Sequence, residues 1–225
     1  MIGALPDVAL SLFLIFCRIG TCLMVMPGVS SARIPVQVRL FLSFAVALAL
    51  APGLLPIVQP LVVAGDDAQR LRLIFSESLV GFVIGMLGRI FMLALSFAGH
   101  LVANLIGMGQ ALGPSIEDNG SSAALTTLIT MTATTLIFVL NLHAEIARAL
   151  VASYSAIVPA IGFTAQASLI AITDNLSEAF LLCLRLSSPF ILYAVIVNFA
   201  IGLANKLTPA IPIYFISLPF VLAGG

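Results

Sequence analysis

Seven stretches of 14 or more residues in this 225-residue chain carry no charged side chain: residues 19–32, 40–65, 90–116, 119–144, 149–173, 186–205 and 207–225. A hydrocarbon core about 30 Å thick is crossed by roughly 20 helical residues, so several of these runs are long enough to span it. A water-soluble domain has about 25% charged and about 45–50% apolar residues. Here the figures are 8% and 61%, with a mean hydropathy of +1.22, which excludes a soluble enzyme, a disordered tail and a disulfide scaffold. Nine basic and nine acidic residues cancel, leaving no basic surface for nucleic acid. Cys17, Cys22 and Cys183 lack a CxxC spacing and a neighbouring histidine, so they read as small buried hydrophobes. No cation precedes the first apolar run, Asp7 stands at its start and Arg18 interrupts it; the N-terminus is therefore expected to be retained and not cleaved as a signal peptide.

The helix signals are local. Pro6-Asp7 can open a helix over 8–26, which Pro27-Gly28 stops. Asp66 with Gln69 resembles a capping box opening a helix to about Gly99 or beyond. Ser121-Ser122 precede a Thr-rich run to about Leu142, and Asn175 with Glu178 predicts a helix over 176–204, kinked at Pro189. The fold class that follows is all-α: an integral membrane protein of long helices paired into hairpins.

Two apolar stretches do not read as ordinary spans. Pro52, Pro56 and Pro60 are expected to break the second half of 40–61, leaving a straight helix of 17 residues from Pro35 to Ala51, about 25 Å long. Pro209, Pro212 and Pro219 leave no continuous helix in 207–225. Broken backbone at membrane depth is tolerated only where protein or a water-lined cavity covers it, so the chain is expected to have neighbours. Gly81, Gly85 and Gly88, then Gly99, Ala103 and Gly107, form stripes of small residues that allow close helix approach, either within the chain or toward partner subunits.

Chemistry is almost absent. There is no P-loop, GxSxG or HExxH, and His100 and His143 have no evident ligand partner. Glu145 and Arg148 sit at i,i+3 and read as an ion pair. No catalytic, cofactor or metal site is expected. Arg18, Glu77, Arg89 and Arg185 interrupt apolar runs, where charge is costly; they either line a solute or proton pathway, lie at helix ends, pair with one another, or face other subunits. A small-solute or ion transporter is the competing function, although no internal repeat of the transporter kind is evident.

One segment stands apart: Gly107-Met108-Gly109-Gln110-Ala111-Leu112-Gly113-Pro114, followed by the polar turn Glu117-Asp118-Asn119-Gly120. Four glycines and a proline in fourteen residues argue against a regular helix. The segment is either a surface connector or a loop folded into a protein-lined cavity, able to close a pore and be displaced at little cost. In the second case Gly107, Gly109 and Gly113 supply backbone freedom, Met108 and Leu112 seal, and Pro114 stops the preceding helix from extending.

Four blocks in register resemble the FliR family of flagellar export-gate subunits. They are Arg18 to Pro52 (with Met26-Pro27, Arg33-Ile34-Pro35, Val38-Arg39 and Ala51-Pro52), Ile106 to Gly109 with the acidic turn, Asn141-Leu142-His143, and Asn198 to Phe220 with Asn205-Lys206-Leu207-Thr208-Pro209 and Leu218-Pro219-Phe220. The resemblance spans nearly the whole chain as one domain, 1–225, and implies that the family's C-terminal extension is absent after Gly225. It implies a non-enzymatic subunit of a type III secretion gate in the bacterial inner membrane, within the flagellar basal body. The partners it implies are FliP-like and FliQ-like gate subunits, an FlhB-like export protein and the exported flagellar proteins. It also implies helical hairpins assembled into a cone-like complex, with a glycine-rich plug at about 107–121.

Overall fold

The computed structural model describes residues 4–31, 34–109, 112–114, 121–157, 159 and 163–208, with residues 217, 219, 221, 222 and 224. Six helices dominate: α1 (Ala4–Val25), α2 (Val36–Ala64), α3 (Asp67–Leu105), α4 (Ala124–Val139), α5 (Leu142–Ala156) and α6 (Ala165–Leu207). Between α3 and α4, β1 (Leu112–Pro114) pairs antiparallel with β2 (Ser121–Ala123). Four helices among the described residues, α1, α2, α3 and α6, are long and apolar enough to cross a membrane. The protein is an all-α membrane protein apart from this short ribbon.

The chain forms two compact units, Met1–Ile90 with Thr134–Asn175, and Phe91–Ala133 with Leu176–Gly225. In the first unit, α1 supplies the centre of the core. Its stripe Ile15, Ile19, Leu23 and Met26 is buried with Ala47, Leu54 and Val58 of α2. A second stripe of α1, Ser11, Leu14, Arg18 and Cys22, is also buried, so α1 is covered on two sides. The helix stops where Pro27-Gly28 was expected to stop it, with Gly28 at φ 85°. In the second unit Gly99 of α3 lies against Thr126 of α4, and the Tyr193 hydroxyl of α6 donates to the Val221 carbonyl at 3.1 Å.

Three helix expectations are corrected. α2 does not break after Ala51; it continues through Pro52, Pro56 and Pro60 to Ala64. The prolines recur every four residues, so their missing donors fall on one exposed stripe, opposite the buried Ala51, Leu54, Val58 and Val62. Packing on the intact side holds the helix. α6 begins at Ala165 rather than 176, which places Asn175 and Glu178 inside the helix and removes their capping role. α4 ends at Val139, because Asn141 adopts a left-handed φ of 56° and starts α5 in a new direction. Pro209 and Pro212 lie outside the described residues; Pro219 occupies an exposed helical position.

Length decides how these helices can sit. α3 has 39 residues and α6 has 43, or about 59 and about 65 Å, each about twice a hydrocarbon core. Observed tilts of about 0–40° do not absorb that excess, so part of each helix must stand outside the lipid. In α6 only 17% of the most apolar window is buried by the chain itself.

Candidate functional site

The glycine-rich segment begins where α3 ends, and its first residues are held firmly. The Met108 N–H donates to the Ala103 carbonyl at 2.8 Å and the Gly107 N–H to Asn104 at 3.2 Å, with Gly107 at φ 81°. This is a Schellman motif with glycine at the left-handed position. Gly107 therefore terminates the helix, a role the sequence reading had given to Pro114. Gly107 has open space around it, so its requirement is conformational; an added Cβ at Gly109 would meet the Asn104 side-chain oxygen, the movable end of an exposed side chain. Further on, Leu112, Gly113 and Pro114 pair with Ala123, Ser122 and Ser121, which gives the backbone a fixed return to α4. Gln110 and Ala111 lie outside the described residues, as does the acidic turn at 115–120. In this structure Gly107 occupies a helix cap and Gly113 a strand position. Gly107→Ala should destabilise this cap by about 1–2 kcal/mol. Hydrogen exchange should show faster exchange of the Met108 amide, with Gly107→Asn less affected because asparagine tolerates the left-handed region.

The second cluster lies among α1, α3 and α5. Arg18, fully buried, reaches Glu77 through two parallel bonds, Nε to Oε2 at 2.6 Å and Nη2 to Oε1 at 2.7 Å. Its Nη1 donates to Ser153 Oγ at 3.1 Å and its Nη2 to the Ile157 carbonyl at 3.2 Å, just past the end of α5. The guanidinium carbon stands 4.0 Å from the ring centroid of Tyr154. Fork-to-fork geometry, a helix C-terminus and an aromatic face all favour arginine at this point. The two charges satisfy each other, and this arrangement holds α1, α3 and α5 together. Sequence reading named pairing as one option for Arg18 and Glu77 but missed Ser153 and Tyr154, which carry no charge or spacing signal.

The small-residue stripe makes this joint possible. Gly81, one turn beyond Glu77, packs so closely on α1 that a Cβ there would overlap the Arg18 carbonyl and Thr21 Oγ1. A Cβ on Gly85 would lie 2.6 Å from the Cys22 carbonyl, whereas Gly88 has ordinary clearance of 3.5 Å to Pro27. Gly99 is 3.1 Å from Thr126 Cα by the same measure, and Ala103 is fully buried. The close contacts of Gly81, Gly85 and Gly99 are within the chain.

Most of the remaining motif positions among the described residues sit at turns and helix ends. Pro35 precedes α2, and Arg39 donates from Nε to the Ile34 carbonyl and from Nη1 to the Ser30 carbonyl, closing the turn after α1. Asn141 makes the left-handed turn, the His143 backbone belongs to the first turn of α5, and Asn205 lies in the last turn of α6. Glu145 and Arg148 form an exposed ion pair. Among the described residues no group of three or more His, Cys, Asp or Glu could hold a metal ion.

The sequence matches the family model described as "Bacterial export proteins, family 1" over residues 9–225. It is 32% identical to a flagellar biosynthetic protein FliR of Caulobacter vibrioides over 213 residues, covering 92% of this chain and 81% of that protein. FliR proteins of Escherichia coli and Aquifex aeolicus are each 26% identical, over 88% and 96% of this chain and 75% and 82% of their own lengths.

Proposed function

Because the chain belongs to the family of bacterial export proteins, family 1, we propose that it is a non-enzymatic subunit of the flagellar type III protein-export gate. The observation carrying this reading, beside the family, is the length and bareness of α3 and α6. Helices about twice as long as a hydrocarbon core is thick, with apolar faces left uncovered by their own chain, require protein neighbours outside the lipid. FliP-like and FliQ-like subunits are the neighbours this role calls for, with an FlhB-like export protein against the assembled gate. The gate would stand in the inner membrane at the flagellar basal body, with flagellar proteins as its cargo.

Within that gate, the segment Gly107–Pro114 and its acidic turn serve as the plug. The Schellman cap and the β1–β2 ribbon support this role by tying the two ends of the segment to α3 and to the start of α4. Deleting residues 110–116 removes β1 and the centre of the segment without touching the core around α1. The expected outcome is a gate that still assembles with its partners but leaks small solutes, read as growth inhibition or dye entry on expression. Assembly lost with the membrane still tight would make the segment a structural joint and refute the plug role.

A further inference from the structure

A groove of about 930 Å³ opens beside the start of α3, within the first compact unit, and its lining combines features that nothing in the export role uses. Arg72 and Asp66 line it, and neither forms an ion pair among the described residues. Ser76, one turn beyond Arg72, also lines it; this serine is 9% exposed and its hydroxyl has no hydrogen-bond partner among the described residues. Phe75, Pro159 and Phe163 supply apolar walls, with Phe75 68% exposed. A buried hydroxyl without a partner is costly, as is an apolar ring left in water. A molecule with a polar end and an apolar end would answer both.

The position in the chain narrows the class. Asp66, Asp67, Arg70 and Arg72 are the last charges before the apolar run of α3, which from Leu73 onward is interrupted by the buried Glu77 and by Arg89. Arg72 lies about 8 Å along α3 from Asp67, close enough for its side chain to reach back toward the interface. A bilayer whose headgroups meet α3 at Arg72 would place them beside this groove. Its two lining charges, one of each sign, sum to zero, which matches a headgroup that carries both.

We propose that this groove seats one phospholipid with a zwitterionic, primary-amine headgroup of the phosphatidylethanolamine type. Its phosphate accepts from Arg72 and Ser76, its ammonium donates to Asp66, and an acyl chain lies along Phe75 and Phe163. An apolar partner helix would leave Arg72 and Ser76 unpaired, and an anionic lipid would leave Asp66 beside a second negative charge. Phosphatidylcholine carries the same charges, but its quaternary nitrogen has no N–H to give. The inference rests on membrane residence and not on the gate role, so the two can fail separately.

The test is native mass spectrometry of the full chain in detergent, titrated with dioleoyl phosphatidylethanolamine, phosphatidylcholine and phosphatidylglycerol. One phosphatidylethanolamine should bind per chain, at least tenfold tighter than either alternative. Arg72→Gln should weaken it about tenfold or more, and Ser76→Ala several-fold. Asp66→Asn should bring phosphatidylethanolamine and phosphatidylcholine within about twofold of each other. That last readout is a ratio within one protein and does not depend on yield. Equal retention of all three lipids, preference for phosphatidylglycerol, or unchanged binding in Arg72→Gln would overturn the proposal.

Discussion

Glu77→Gln should destabilise the protein by about 3–5 kcal/mol, because it leaves the Arg18 guanidinium buried without its counter-charge. The carboxylate supplies both acceptors of a bidentate pair, and the amide that replaces it offers one acceptor and two donors that face donors. Arg18→Met should be similarly harmful, since it leaves the Glu77 carboxylate without its partner. The paired change Arg18→Met with Glu77→Leu removes both charges and should recover most of the loss. Thermal unfolding midpoints in detergent and accumulation in the membrane both report this. If the double variant is as unstable as Glu77→Gln alone, the cost lies in packing volume and the electrostatic account is wrong.

Gly81→Ala should disrupt the first compact unit even though it adds a single methyl group. Overpacking a core usually costs about 1–3 kcal/mol, and here the overlapped atoms are the Arg18 carbonyl and Thr21 Oγ1, which move only if α1 moves. The loss should therefore reach the upper end of that range, despite about 1 kcal/mol of helix propensity gained on leaving glycine. A graded series follows from the clearances. Gly85→Ala should be intermediate, and Gly99→Leu should push α4 off α3 at Thr126. Gly88→Ala has ordinary contact with Pro27 and should be neutral or slightly stabilising. Assembly yields and unfolding midpoints ranked in that order would support the close α1–α3 approach. Equal tolerance at Gly81 and Gly88 would disprove it.

Legibility in the sequence tracks the range over which each signal acts. Pro27-Gly28 and the Asp66 boundary are local chemistry, and both mark helix ends where expected. The charge-free runs marked the membrane class but not the helix bounds: 40–65 nearly coincides with α2, whereas α1, α3 and α6 carry charges inside them. Arg18 and Glu77 are 59 residues apart, and no spacing rule joins positions on different helices. The pair was one possibility among several until α1 and α3 were brought together by Gly81. Asn175 and Glu178 misled because a capping pattern costs nothing to display inside a helix that has already begun. The β1–β2 ribbon was invisible because Leu-Gly-Pro and Ser-Ser-Ala are too short to show an alternating pattern. Proline counting failed in α2 for a different reason: it priced each missing hydrogen bond but not the side from which the helix is held.

That last point reverses cause and effect along α2. From Val36 to about Leu50 the backbone can sustain the helix by its own hydrogen bonds. Beyond Ala51 the carbonyls of Leu48, Pro52 and Pro56 have lost their regular donors, and Leu54, Val58 and Val62, seated in the core, maintain the coil. Here tertiary structure makes the secondary structure, as a mould keeps the shape of a casting that would otherwise slump. Anything that unseats those three side chains should unwind the second half of α2 while the first half stays wound, so this helix carries within it a built-in tear line.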